Sequence, residues 1–497
     1  MINSILHFNE FGVKKLEKTM INFSEDMTKI AEMVYGVTES VVNLGLSIIG
    51  EELEYYDEWL RKSSKRKEKW EIVRRDETSL LTSLGTVRYK KTLFKNKETG
   101  KREYLLDRVM KLEKHARMTE DAEARILEEA VESSYRKGGE NASIGKESVS
   151  KQTVMNKIRE LEFPKLKANK KKKSVPYIYI DADEDHVSLQ YLEKKGDIPK
   201  GKRVNTIIPK IIYVYEGINY ENKKHELINP VYFGGLYDGT DKNQKLWNEV
   251  WDYISENYEV DEIKKIYING DGAPWIKAGA KIINNSRFIL DKFHMHKYII
   301  AATSHLGEEV ELARGALYRA IKKRSKQMAK YALEVIKEKT ISESKMKTVE
   351  ATEKYILENW AGIMEQERNK EADIKCSAEG HVSHVYADRM SSRPLGWSRN
   401  GAHKMSQLRI YAQNKGSMLE LIRYQKKELK KVAGGEDIVE LTCGDVLQKE
   451  AHMRRTLGTL PSVSCYSLPY SQIKKIANFK DRLHPLYVLK LILPLFY

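Results

Sequence analysis

Two short segments constrain the architecture of this chain more than anything else in it. Tyr177-Ile-Tyr-Ile-Asp-Ala-Asp183 and Lys265-Ile-Tyr-Ile-Asn-Gly-Asp271 are matched runs of β-branched and aromatic residues that each end in an acid. Runs this short, closed by polar or turn residues, read as strands. Further strand signals at His186–Leu192, Thr206–Tyr215 and Phe288–Leu290 alternate with helical patterns at Asn243–Glu256 and Trp275–Ile283. Such alternation predicts a mixed α/β sheet domain. An acid leaving the carboxyl end of a strand projects into the crevice where these sheets place their sites, which makes Asp183 and Asp271 the first candidate functional residues. Asp181 shares a strand face with Asp183 and is the alternative to it. Capping of the next helix is the competing role for Asp271.

A chain of 497 residues exceeds one hydrophobic core, so two or three structural units are expected, an α/β, multi-domain α+β organisation overall. Residues 1–163 read as mainly helical: apolar side chains recur at helical spacing from Val13 to about Ser63, as at Ile30, Met33, Val34, Val37 and Val41. A small β element interrupts them between Leu80 and Leu106, with Asn96-Lys-Glu-Thr-Gly-Lys as its hairpin turn. Residues 164–176 place six lysines in nine positions between Pro164 and Pro176, a self-repelling linker whose Lys170 and Lys171 can also track phosphates. The sheet domain follows in two parts, 177–296 and 373–430. Between them residues 297–372 carry only helical patterns, and 431–497 form a C-terminal region.

Charge points to the partner. Lys plus Arg number 87 against 71 Asp plus Glu, a formal net charge of +16, which favours a polyanion. Thr119–Leu161 reads as a helix-turn-helix in which Ser150 caps the second helix, Val154 and Ile158 face inward, and Lys151, Gln152, Thr153 and Asn156 face outward toward base edges. An ordinary helical hairpin with a solvated face is the alternative. Lys322, Lys323 and Arg324 in the helical block are candidate phosphate contacts. Three cysteines, Cys376, Cys443 and Cys465, form no CxxC pair and indicate neither a disulfide framework nor a thiolate zinc site, which fits a reducing cytoplasm. Met1–Lys14 lacks the pattern of a signal peptide, and the apolar run Leu486–Tyr497 is too short to span a bilayer, so no membrane is expected.

The third candidate acid is Glu379, in Cys376-Ser-Ala-Glu-Gly-His-Val-Ser-His384. Converging carboxylates repel unless a cation neutralises them, and Mg²⁺ or Mn²⁺ suits all-oxygen ligands; two such ions serve phosphodiester displacement. His381 and His384, spaced i, i+3, read as surface histidines of a helix, with His381 the alternative metal ligand beside Glu379. Trp275 and Trp397 read as packing residues.

Several of these blocks resemble one family. Asp183-Glu-Asp-His-Val-Ser-Leu-Gln, Asn269-Gly-Asp-Gly-Ala-Pro-Trp-Ile, Asp291-Lys-Phe-His294, and Cys376 to His384 followed by Arg389-Met-Ser-Ser-Arg-Pro-Leu-Gly-Trp397 are similar to the ISLre-type insertion-sequence transposases, which group with the Mutator-like enzymes. The resemblance implies an RNase H-like core with a helical insertion between its second and third acids. It makes Asp183, Asp271 and Glu379 a metal-binding DDE triad, with Asp183 the first ligand, and Asp291 and His294 supporting residues of the Asp-x-x-His type. It implies Mg²⁺- or Mn²⁺-dependent cleavage and strand transfer on terminal inverted repeats and target DNA, by a homodimer or higher oligomer in the cytoplasm, at the nucleoid. A decayed or domesticated DNA-binding protein, or a structure-specific nuclease, are the alternatives. The C-terminal Asp481–Tyr497 stretch departs from the family pattern.

Overall fold

The computed structural model describes residues 2–432 apart from 146, 199–204, 221–225, 375–377 and 393–395. The C-terminal region read from the sequence therefore lies, from 433 onward, outside the described residues. Helix α1 (Val13–Glu25) folds back on the long α2 (Ile30–Lys62), whose second half lies along a sheet of β1 (Trp70–Leu81), β2 (Thr86–Asn96) and β3 (Arg102–Tyr104). Asp57 of α2 is wholly buried and accepts from the backbone N–H and the hydroxyl of Thr92 at 2.7 and 2.8 Å, which fixes helix to sheet. The β2–β3 turn falls at the expected residues, with Gly100 at φ 71°, a backbone region that favours glycine. Strand β1 lies outside the expected β element for most of its length: both of its faces are largely exposed, so no alternation marks it.

Three helices follow, α3 (Glu120–Glu132), α4 (Tyr135–Glu140) and α5 (Lys151–Glu160). Ser150 caps α5 by accepting from Thr153 N at 3.1 Å, and Val154 and Ile158 are buried. The Lys-rich stretch that follows is extended and pinned: Lys173 N donates to Asn257 O at 2.8 Å, and its ammonium pairs with Glu216 at 2.7 Å.

The central sheet comprises β4 (Tyr177–Glu184), β5 (Lys210–Tyr215), β6 (Val231–Gly235), β7 (Lys265–Gly270) and β8 (Ser286–Leu290), in the order β6-β5-β4-β7-β8. β4, β7 and β8 run parallel, and β5 is antiparallel to both of its neighbours. Alternation along each strand builds two cores. Ile178, Ile180 and Ala182 of β4 pack with Ile212 and Val214 of β5 against α6 (Thr240–Asn257) and α7 (Pro274–Ile282). On the opposite face Tyr179, Tyr213, Tyr215, Tyr232 and Tyr267 form a continuous aromatic array, with centroids 5.4–5.9 Å apart from ring to ring. That array is covered by α3, α5 and C-terminal helices, so the outward helices expected to meet DNA share a core with the sheet. Two expected strands change: His186–Leu192 reduces to Val187–Ser188, and Thr206–Tyr215 is broken at Pro209, which lacks the N–H a ladder needs.

The expected helical block is present as α8 (Lys292–Thr303), α9 (Val310–Lys322), α10 (Lys326–Glu338), α11 (Glu343–Glu358) and α12 (Trp360–Arg368), and it holds a third core. After it come α13 (Ala378–Val382), one π-helical turn at Ser383–Ala387, α14 (Arg399–Gln413) and α15 (Met418–Val432). Met1–Leu429 make up one compact unit.

Candidate active site

In the parallel pairing of β4 with β7, Asp181 sits opposite Asn269. Two residues further, Asp183 and Asp271 lie at adjacent strand ends, about 5 Å apart by strand spacing. Their electrostatics record the proximity: burial, reinforced by the charge of Asp271 and opposed by a hydrogen bond from Glu184 N, pushes the Asp183 carboxyl up to about 7. A carboxylate in such surroundings is short of positive charge.

Asp271 accepts from Ala273 N through Oδ1 at 2.8 Å and so closes the turn into α7, but it is not the cap weighed for it: the N-cap of α7 is Ala273, and no side chain bonds there. Gly272 makes the turn possible: its φ is +93°, and a Cβ there would stand 2.6 Å from the Asn359 side chain. The helical block braces the loop from behind. Tyr355 of α11 donates to the Asp271 carbonyl at 2.6 Å, with its ring stacked on Tyr298 of α8 at 3.9 Å.

Asp291 ends β8 as Asp271 ends β7. Its N–H donates to Gly270 O at 2.9 Å, its Oδ1 caps α8 through Phe293 N at 3.0 Å, and its Oδ2 holds His294 Nδ1 at 2.7 Å. That hydrogen bond, with the charges of Asp291, Asp183 and Asp271, raises the imidazole above its ordinary pKa despite partial burial. Four residues from three consecutive parallel strand ends therefore share one electrostatic neighbourhood.

Asp181 belongs elsewhere. It is wholly buried in the tyrosine face and accepts from Tyr213 at 2.7 Å, Tyr215 at 3.1 Å and Asn269 at 3.0 Å. Three neutral donors already engage it, whereas Asp183 lies two residues further along the same strand face, beyond the tyrosine hydroxyls. His381 is not the surface residue expected of it: its Nδ1 lies 3.0 Å from the Tyr232 hydroxyl, its ring is 4.5 Å from that of Tyr213, and burial depresses it to about 4, so it is neutral near pH 7. His384 is exposed as expected. Glu379 lies in α13, which rests against β4, and its side chain is outside the described residues. Among the described residues no three of His, Cys, Asp and Glu converge on one metal position.

A family profile described as Uncharacterised protein family (UPF0236) matches residues 23–428. The chain belongs to UPF0236. Two UPF0236 proteins of Caldanaerobacter subterraneus subsp. tengcongensis are 38% and 37% identical to it, over 83% and 82% of this chain and 85% of each relative. One from Streptococcus gallolyticus is 24% identical over 82% of this chain and 87% of its own length. Among solved structures the chain is similar to the Drosophila P element transposase strand transfer complex, with TM-score 0.23 and 10% identity over 64% of this chain and 82% of that one. It is also similar to a pre-cleavage Mos1 transpososome, with TM-score 0.12 and 12% identity over 50% and 78%.

The basic and polar candidates of this UPF0236 chain lie apart from the acids in sequence and mostly on its surface. Lys151, Gln152 and Asn156 are exposed on α5 and Thr153 half-buried, with Gln152 Nε2 donating to Asn156 Oδ1 at 2.9 Å. Lys170, Lys171, Lys322 and Lys323 are exposed. Arg324 serves the fold: at φ 56° it turns the chain from α9 into α10 while its guanidinium donates to the Glu367 carbonyl. Trp275 and Trp397 are buried as expected, and Trp397 Nε1 donates to Met390 O at 3.0 Å. Sequence reasoning missed Tyr355 and Asn359, whose contact with the Asp271 loop is wholly tertiary.

Proposed function

We propose that the protein is a DDE transposase: it binds the ends of its own element and cleaves and joins DNA strands at Asp183, Asp271 and Glu379. The observation that carries this reading is the Asp183–Asp271 pair, two acids at the ends of adjacent parallel strands, where burial first and the charge of Asp271 second raise the pKa of Asp183. An all-oxygen donor set under that repulsion fits a hard divalent cation. Asp183, Asp271 and Glu379 would hold Mg²⁺ or Mn²⁺, two ions in all, which when bound activates the attacking oxygen and stabilises the leaving one in in-line displacement.

The remaining work is done by residues of the chain. Asp291 fixes the His294 imidazole and favours its protonated form, placing a positive charge beside the carboxylates where a scissile phosphate would enter. The Gly272 turn and the Tyr355 brace fix the loop that carries Asp271. One antiparallel strand in an otherwise parallel sheet, and a helical block inserted between Asp271 and α13, support an RNase H-like core. The outward face of α5 supports recognition of terminal inverted repeats. The name of one Caldanaerobacter relative joins eleven locus designations of a single strain, as expected of a gene that copies itself.

The test is cleavage and strand transfer on DNA carrying the flanking inverted repeats, with Mg²⁺ or Mn²⁺. Wild type is expected to nick and join such DNA, and Asp271→Asn to bind it without cutting. Equal behaviour of the two, binding without turnover, would identify a non-catalytic DNA-binding protein. Cutting of branched DNA without joining would identify a nuclease.

A further inference from the structure

Ten of the twenty-two exposed large hydrophobic side chains among the described residues fall within residues 6–55, a dense concentration on and beside the N-terminal helical hairpin. On α2 they follow a rule. Ile30, Val34, Val37, Val41, Leu44 and Ile48 recur at alternating steps of four and three, the spacing of a coiled-coil seam. Ile30, Val34 and Val41 are 58%, 53% and 56% exposed, while α1 covers a different side of α2, with Thr19 against Gly36 and Lys15 paired to Glu39 at 2.7 Å. An apolar stripe with Ile30, Val34 and Val41 exposed and Val37, Leu44 and Ile48 half-buried signals an absent partner.

We propose that this face takes the same hairpin of a second copy of the chain, so that α1 and α2 of two protomers close a four-helix bundle. A membrane is the competing occupant, because Ile30–Lys62 is long and apolar enough to cross one by length and composition. Geometry argues against it. From about Gly45 onward α2 is committed to the β1–β2 sheet: Gly45 faces Leu84, a Cβ added at Gly50 would stand 3.0 Å from the Arg88 carbonyl, and Asp57 is buried on Thr92. The uncommitted part, Ile30 to Leu44, is about 22 Å long, short of the ~30 Å hydrocarbon core. Area favours a second copy. Two helices about 20 Å long and 10 Å wide each offer on the order of 400 Å² of flat footprint, which side-chain relief extends toward the ~800 Å² per partner of a standard interface. The seam also suits a like helix, since the flanking Ala31 and Thr38 are small enough to admit close approach.

This proposal stands apart from the chemistry assigned above, and so does its test. Sedimentation velocity and light scattering on the full chain at about 1–50 µM, with and without DNA, are expected to give twice the monomer mass for wild type. The Val34→Glu/Val41→Glu double variant is expected to give half that mass with unchanged circular dichroism, because both side chains are exposed in the protomer, and with a urea midpoint that no longer rises with protein concentration as that of the dimer does. A monomeric wild type under all conditions, or a double variant that stays dimeric, overturns the proposal. So does co-flotation of wild type, but not of the variant, with vesicles of phosphatidylcholine and phosphatidylglycerol, which would assign the face to a lipid surface.

Discussion

Asp183 meets two opposed demands: the fold buries it, and the proposed chemistry needs it ionised. Its carboxyl rises from the ordinary 3.8 to about 7, chiefly through burial, which corresponds to about 4 kcal/mol at full desolvation and roughly 2 kcal/mol after solvent screening. The sign is that of an acid whose folded pKa is raised. The folded state keeps a proton between about pH 4 and 7 that the unfolded chain has released, so metal-free stability falls as pH rises through that window and levels off above it. Asp183→Asn is therefore expected to be more stable than wild type at pH 8 by roughly 2 kcal/mol in urea unfolding without metal, and to lose all cleavage. Added Mg²⁺ is expected to stabilise wild type at pH 8 and leave the variant unmoved; a variant less stable than wild type, or one equally responsive to Mg²⁺, refutes this account. Gly272 makes a second residue-scale demand. Gly272→Ala places a Cβ at φ +93° within 2.6 Å of Asn359, and is expected to cost about 1–3 kcal/mol and to slow cleavage by displacing Asp271.

At the scale of elements, the helix proposed to carry the third acid is tied to the α3–α5 helices by two buried arginines. Arg409 of α14 donates Nε to Val385 O at 2.6 Å and Nη1 to Val131 O at 3.1 Å, with a further bond from Nη2 to His384 O. It thereby satisfies carbonyls at the end of α3 and in the π-helical turn together. Arg389 donates to Ala130 O at 3.1 Å and lies between the rings of Tyr135 and Trp397, 5.4 and 5.0 Å from their centroids. Arg409→Met removes the guanidinium donors to three carbonyls, two of them buried, and is expected to cost about 3 kcal/mol, with hydrogen exchange accelerating at residues 383–387 before the central sheet opens. Exchange that rises uniformly instead would show that the arginine holds no local joint. This clamp was invisible in the sequence, where Arg389 and Arg409 are two charges among many, while the strands β4, β7 and β8 and the helical block were legible because a buried sheet and an amphipathic helix impose a period. β6 escaped notice because Val231-Tyr-Phe-Gly-Gly is short and ends in two residues without side chains to pattern, and β1 because neither face is steadily buried. Asp183 and Asp271 could be read from their place after matched apolar runs, whereas the separation of Asp181 from Asp183 required knowing that Tyr213 and Tyr215 come from the next strand.

For the whole molecule, the proposed function expects the net charge of +16 and the exposed polar face of α5 to make separable contributions to DNA binding. Ammonium groups that neutralise phosphates release counterions, so removing one such ammonium lowers the slope of log K against log salt by about 0.9 and weakens binding to every sequence alike. Lys170→Gln/Lys171→Gln and Lys322→Gln/Lys323→Gln are expected to behave this way, each pair reducing the slope by up to about 2. Gln152 and Asn156 carry no charge and can specify only by meeting base edges, for which they must exchange the hydrogen bond they make to each other for one to DNA. Gln152→Ala/Asn156→Ala is therefore expected to narrow the gap between inverted-repeat and random DNA by about 1–3 kcal/mol with the salt slope unchanged. Titrations of each variant on both DNAs from about 50 to 200 mM salt separate the two effects. If the α5 variant changes the slope and not the gap, α5 is a phosphate-binding face and sequence is read elsewhere; if it changes neither, its polar side chains serve only to keep the helix in water.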